Sequence, residues 1–124
     1  MLIQDFYRVL KIDKIIDNQY AIDIELNKNH PIFAAHFPNR PITPGVMVMQ
    51  IIKELTEMVL SKQISLLMVN NVRFLAIINP QISTSLTIQL TLSSADEKGQ
   101  FTLKNTCEFE GKTAVKLSNT YQIL

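Results

Sequence analysis

His36 and Gln50 stand fourteen positions apart in the segment His36-Phe37-Pro38-Asn39-Arg40-Pro41-Ile42-Thr43-Pro44-Gly45-Val46-Met47-Val48-Met49-Gln50, with a helix start between them. Histidine has an ordinary pKa of about 6.5, so its imidazole is mostly neutral at pH 7 and free to take a proton. Pro38, Pro41 and Pro44 fall within seven residues and precede an apolar run. That pattern describes a rigid loop feeding a helix whose first turn is fixed in place. Gly45 lies in that first turn, where backbone N–H groups lack intrahelical partners and a missing side chain permits close approach to developing negative charge. Gln50 can hydrogen-bond a hydroxyl or a water but holds no acidic proton near neutral pH. The next carboxylate, Glu54, follows four residues on, about one turn or ~5.4 Å along the same helical face.

These groups need a scaffold, and the rest of the chain supplies one. Thr43 is a good N-cap and Pro44 a good first helical residue, predicting a helix from about 44 to Ser61. Val46, Met47, Val48, Met49, Ile51 and Ile52 leave its first half without a polar face, so this half should be enclosed by protein on all sides. Ile82, Leu86, Ile88, Leu90 and Leu92 alternate with polar residues, as do Phe101, Leu103, Asn105, Cys107 and Phe109, and then Val115, Leu117, Asn119, Tyr121 and Ile123; each run predicts a strand. Another strand is expected within 64–78. Lys11–Asp17 and Tyr20–Leu26 read as a hairpin turning at Asp17-Asn18, while residues 2–10 have the spacing of a short amphipathic helix. The expected order is helix, hairpin, loop, long helix and antiparallel meander: an α+β domain with one helix packed on a sheet.

The residues His36-Phe37-Pro38, Pro41, Pro44-Gly45 and the position of Gln50 resemble the β-hydroxyacyl-(acyl carrier protein) dehydratases of fatty-acid synthesis. Two positions depart: Ala35 replaces the family's Gly before the histidine, and Gln50 replaces its Glu or Asp. The resemblance implies a hot-dog fold, a curved antiparallel sheet wrapped around the long helix, over 1–124 as a single domain. It also implies a dimer, or a multiple of dimers, with a continuous intersubunit sheet. His36 would then be the base that removes the α-proton, Gly45 the oxyanion donor, and the residue at position 50 the group that handles the leaving hydroxyl across the dimer interface. Since Gln50 cannot supply a proton, Glu54 is the candidate acid, acting through a water held by Gln50. The implied substrate is an acyl thioester on the phosphopantetheine of acyl carrier protein, with no other cofactor and no metal. Two other readings stay open: a non-catalytic acyl-carrier-binding subunit of a heteromeric dehydratase, and a hot-dog acyl thioesterase.

Plainer roles exist for each residue. His36 taken apart from its motif reads as a loop histidine, His30 beside Pro31 as a loop residue and not a second base, Gln50 as a satisfied core amide, and Glu54 as a solvated helix residue. Phe33, Met47, Met49, Ile51 and Phe74 could line an acyl tunnel or simply fill the core, and Arg40 and Arg73 could meet a phosphate or an acidic carrier. Composition sets the outer bounds. With 124 residues, 47% hydrophobic, 19% charged and a net charge of +1, the chain is one globular domain with no strong field toward nucleic acid. Its single cysteine, Cys107, forms no internal disulfide and reads as a core residue in a reducing cytoplasm. Asp5 and Arg8 interrupt the N-terminal apolar stretch, against a signal peptide, and the run from Pro44 to Ile52 is too short for a membrane span.

Overall fold

Period-two alternation sets the sheet. In the computed structural model, which describes residues 5–35 and 42–124, the strands are β1 (Tyr7–Ile16), β2 (Gln19–Leu26), β3 (Ile64–Phe74), β4 (Ser85–Leu92), β5 (Gln100–Phe109) and β6 (Lys112–Ile123). A short helix α1 (Pro31–Ala35), absent from the sequence reading, and the long helix α2 (Gly45–Leu60) stand between β2 and β3. Expectations placed on residues 1–4 and 36–41 lie outside the described residues. All pairings are antiparallel, in the order β1-β2-β4-β5-β6-β3. β4, β5 and β6 form the expected meander. β5 and β6 are joined by Glu110-Gly111, both at positive φ (52 and 74), the two-residue turn whose twist suits a hairpin. β3 does not join that meander at β4; it crosses to pair with β6 and forms one edge of the sheet.

The N-terminal expectation of a helix over residues 2–10 is wrong for the part that is described, because Tyr7–Leu10 belong to β1. The reason is a register shift between Val9 and Lys11. One extra residue at that point breaks the period of two, and the resulting apolar spacing of Phe6, Val9 and Leu10 imitates a helical stripe.

α2 supplies Val48, Ile51, Ile52, Leu55 and the side chains of Glu54 and Thr56 to the interior. At roughly 100° per residue these positions cover an arc of about 200°, more than a flat sheet could bury. The sheet supplies the rest of the same core: Ile22, Ile24, Leu86, Ile88, Leu90, Leu103, Cys107 and Val115 are all essentially solvent-free. The opposite side of α2 is open. Val46 is 73% exposed, so its first half is not enclosed by this chain alone, contrary to the sequence reading. Its apolar side lacks a cover because β3, the nearest strand, ends the sheet there.

Candidate active site

The start of α2 is held from below, by a different device from the one expected. Thr43 donates both its backbone N–H (3.0 Å) and its hydroxyl (2.9 Å) to the carbonyl of Ile78. The hydroxyl is therefore spent on the 75–80 loop, and Pro44 occupies the N-cap position with no side-chain cap. Thr43 anchors the helix entry without capping it. Gly45 is the first helical residue, and its N–H has no acceptor among the described residues. A β-carbon at Gly45 would lie 2.5 Å from Cζ and 2.8 Å from Cε1 of Phe74. Only glycine lets that ring rest against the helix start.

One turn further along, the structure joins Gln50 to Glu54. Gln50 Nε2 donates to Oε2 of Glu54 at 3.0 Å, and the Tyr7 hydroxyl donates to Oε1 at 2.8 Å. Because a carboxylate offers only acceptors, the amide nitrogen must face Glu54. The amide oxygen of Gln50 meets no protein donor among the described residues. Glu54 is only 7% exposed, so the solvated-helix reading fails, and each of its oxygens has a donor that offsets burial. Tyr7 is held as a neutral phenol, its pKa raised by burial first, then by its bond to Glu54 and by that residue's charge. Sequence reasoning missed Tyr7 because it lay inside the presumed N-terminal helix; its 47-residue separation from Glu54 leaves no local signal.

Gln50 also borders a cleft of about 480 Å³, in which Val46, Met49, Gln50 and Lys53 of α2 face Ile64, Ser65 and Leu66 of β3 and Tyr121 of β6. The four helix residues recur at i, i+3, i+4 and i+7, one continuous stripe. Glu54 does not border this cleft. It supports Gln50 from the interior and opens instead toward Glu57, Met58 and Ser61.

The other candidates sort by burial. Phe33 (5% exposed) and Ile51 (0%) are core side chains, so of the five tunnel candidates Met49 borders the cleft, Met47 packs against the core and Phe74 covers Gly45. His30 accepts the N–H of Ile32 at Nδ1 (3.1 Å) and meets the Phe6 ring edge-on at 5.2 Å, the structural role expected of it. Cys107 is solvent-free, with its thiol pushed up to about 12 by burial, so it is no nucleophile at neutral pH. Arg73 lies on the sheet face away from α2. His36 and Arg40 lie outside the described residues. Among the described residues no cluster of His, Cys, Asp and Glu could hold a metal, and no helix is long and apolar enough to cross a membrane.

Comparison with known proteins assigns the family. The sequence model of the ApeI-like family, described as ApeI dehydratase, matches residues 13–116. The chain belongs to this dehydratase family. Among curated relatives, 3-hydroxyacyl-[acyl-carrier-protein] dehydratase FabZ of Rhodospirillum rubrum is 44% identical over 48 residues, 36% of this chain and 30% of that protein. FabZ of Rickettsia akari is 27% identical over 91 residues, 64% of this chain and 63% of that protein. The chain thus spans less than two thirds of the length of the curated relatives it matches. Its fold is the hot-dog fold. It superimposes on a chain of the dehydratase heterocomplex ApeI:P from Xenorhabdus doucetiae with a TM-score of 0.74 at 17% identity, covering 93% of this chain and 96% of that one. The (R)-hydratase from A. caviae involved in PHA biosynthesis gives a TM-score of 0.63 at 14% identity, covering 93% and 98%.

Proposed function

We propose that this ApeI-like chain is a subunit of an enzyme that removes water from β-hydroxyacyl thioesters on acyl carrier protein, leaving trans-2-enoyl thioesters. The observation that carries this reading is the Gln50 amide, anchored by the buried Glu54 and facing an apolar cleft on the same helix that begins at Gly45. His36, nine residues before Gly45 in the sequence, takes the proton beside the thioester carbonyl. The Gly45 N–H receives the negative charge that builds on the carbonyl oxygen. Gln50 fixes the β-hydroxyl by accepting its proton in a hydrogen bond, while Glu54 positions Gln50. The hydroxyl leaves as water with the proton that His36 took from the α-carbon, returned through a water beside the Gln50 amide, while both Glu54 oxygens stay acceptors.

A dimer completes the site. β3 is a sheet edge with Leu66 (42% exposed), Leu67 (49%), Met68 (58%) and Val69 (48%) uncovered, and an apolar unpaired edge is a template for another strand. A partner seated there would close the cleft over Val46. A second reading follows from Gln50 itself: the partner is a different dehydratase subunit whose carboxylate serves as the acid, and this chain contributes the carrier surface.

The test is to incubate the purified chain with a β-hydroxyacyl carrier protein and follow the acyl mass. Loss of one water, abolished in His36→Ala, supports dehydration by this chain, and Gln50→Glu should raise the rate if a carboxylate there is geometrically correct. Binding with no change of mass favours the heteromeric subunit. Release of free acid would refute both readings in favour of hydrolysis.

A further inference from the structure

The sheet face turned away from α2 carries charge that neither the cleft nor the core uses. Cross-strand register lines up two neighbouring rows over β3, β6, β5 and β4. One runs Arg73, Lys116, Thr106, Gln89, and the other Asn71, Ser118, Lys104, Thr91. These eight residues, with Asn105 and Leu117, border a concavity of about 460 Å³ that contains no acidic side chain and no aromatic ring. The concavity has a braced floor: Asn105, only 3% exposed, donates Nδ2 to the carbonyls of Gln89 (2.9 Å) and Thr106 (3.2 Å), tying β5 to β4 beneath the groove.

The charges here are arranged differently from those along β1. At the β1 end every cation has an acid in reach: Arg8 with Glu25 (2.9 Å), Lys11 with Asp13 (3.3 Å) and Lys14 with Asp17 (3.4 Å). In the groove, Arg73 and Lys116 are directly opposite partners, like charges at a separation that destabilises a sheet. Lys104 sits one row away on the next strand. None of the three forms an ion pair among the described residues. Glu108, on the same face of β5, pairs across the sheet with Thr113 and Thr87 and does not border the groove.

We infer that this groove binds a phosphate-bearing anion. Three cations neutralise its charge, and the hydroxyl and amide donors of Ser118, Thr91, Thr106, Asn71 and Gln89 match its oxygens. With no ring to stack on, recognition is of the phosphate and not of a base. The site lies on the opposite side of the sheet from the α2 cleft and does not depend on the dehydratase reading. Its phosphate belongs either to a free phosphorylated molecule or to the phosphopantetheine arm of a thioester.

The experiment is calorimetric titration of the chain with three probes: pyrophosphate, phosphopantetheine and phosphate-free pantetheine. Saturable pyrophosphate binding that weakens with added salt is expected. The Arg73→Gln/Lys116→Gln double variant should weaken it at least about tenfold, the scale of losing charge-assisted hydrogen bonds. Arg8→Gln, at the far end of the sheet, should leave it unchanged. Phosphopantetheine binding no tighter than pyrophosphate assigns a free anion, and clearly tighter binding assigns the thioester arm. Absent pyrophosphate binding, or equal binding by a double variant that keeps the parent melting temperature, overturns the inference. Failure here leaves dehydration untouched, because the two readouts are separate.

Discussion

Gly45→Ala is the substitution whose outcome the structure constrains most tightly. The new methyl would fall 2.5 Å from Phe74 Cζ, so the ring must leave the helix start. It is able to do so, being the far end of a side chain already 56% exposed. The cost is the burial it gives up. A Phe side chain buries roughly 150–250 Å² when fully enclosed; the 44% still covered (100 − 56) is then roughly 70–110 Å², or about 2 kcal/mol at 25 cal/mol/Å². Replacing glycine in a helix returns at most about 1 kcal/mol, less in the first turn. The net expectation is a loss of about 1 kcal/mol, a fall of roughly 3–5 °C in melting temperature. The decisive assay is a double-mutant cycle by urea unfolding. In a Phe74→Ala background the methyl meets no ring, so Gly45→Ala should become neutral or slightly stabilising, a coupling of about 1–2 kcal/mol. Dehydration should fall much further than stability, by about 10²–10³-fold, if the methyl denies the thioester oxygen its N–H donor. Equal cost of Gly45→Ala with and without Phe74 would refute the packing argument, and full activity in Gly45→Ala would refute the oxyanion assignment.

Tyr7→Phe removes a donor from the buried Glu54 carboxylate, so chemical unfolding should show a loss of about 1.5–3 kcal/mol, whereas Glu54→Gln in the same background should recover part of it. In dehydration assays Glu54→Gln should lower kcat with little change in KM if Glu54 only positions Gln50; a rate unaffected by this change would remove Glu54 from the mechanism. Alkaline stability has a defined sign. The Cys107 thiol rises from 9.0 to about 12 on burial, so its contribution is complete below pH 9 and is lost as pH climbs from 9 toward 12. Tyr7 and Tyr121, raised from 10.0, add to the loss above pH 10. Between pH 9.5 and 11 the parent should lose stability more steeply than Cys107→Ala, and parallel urea midpoints for the two would contradict it. Val69→Lys places a charge on the exposed β3 edge and should shift the assembly toward monomer in sedimentation; an unchanged mass would exclude that edge as the interface.

What the linear chain determines here is periodic or local. α2 is legible because apolar residues recur at helical spacing after Pro44 and the pattern ends at Ser61, and β4 to β6 are legible because one face of each strand is buried and the other is not. Gln50 and Glu54 share a helical face by spacing alone, so their contact needed no knowledge of the sheet. Tertiary structure decides whatever depends on which strand lies beside which. β1 hides behind a bulge that counterfeits a helical stripe. Thr43 abandons a local cap for a carbonyl 35 residues away. Glu54 is buried because Tyr7 crosses the core to meet it, Val46 is exposed because β3 ends the sheet, and Arg73 faces Lys116 because β3 pairs with the last strand and not with the next. Periodicity encodes which face of an element is apolar, whereas neighbours are chosen by the packing of all faces at once.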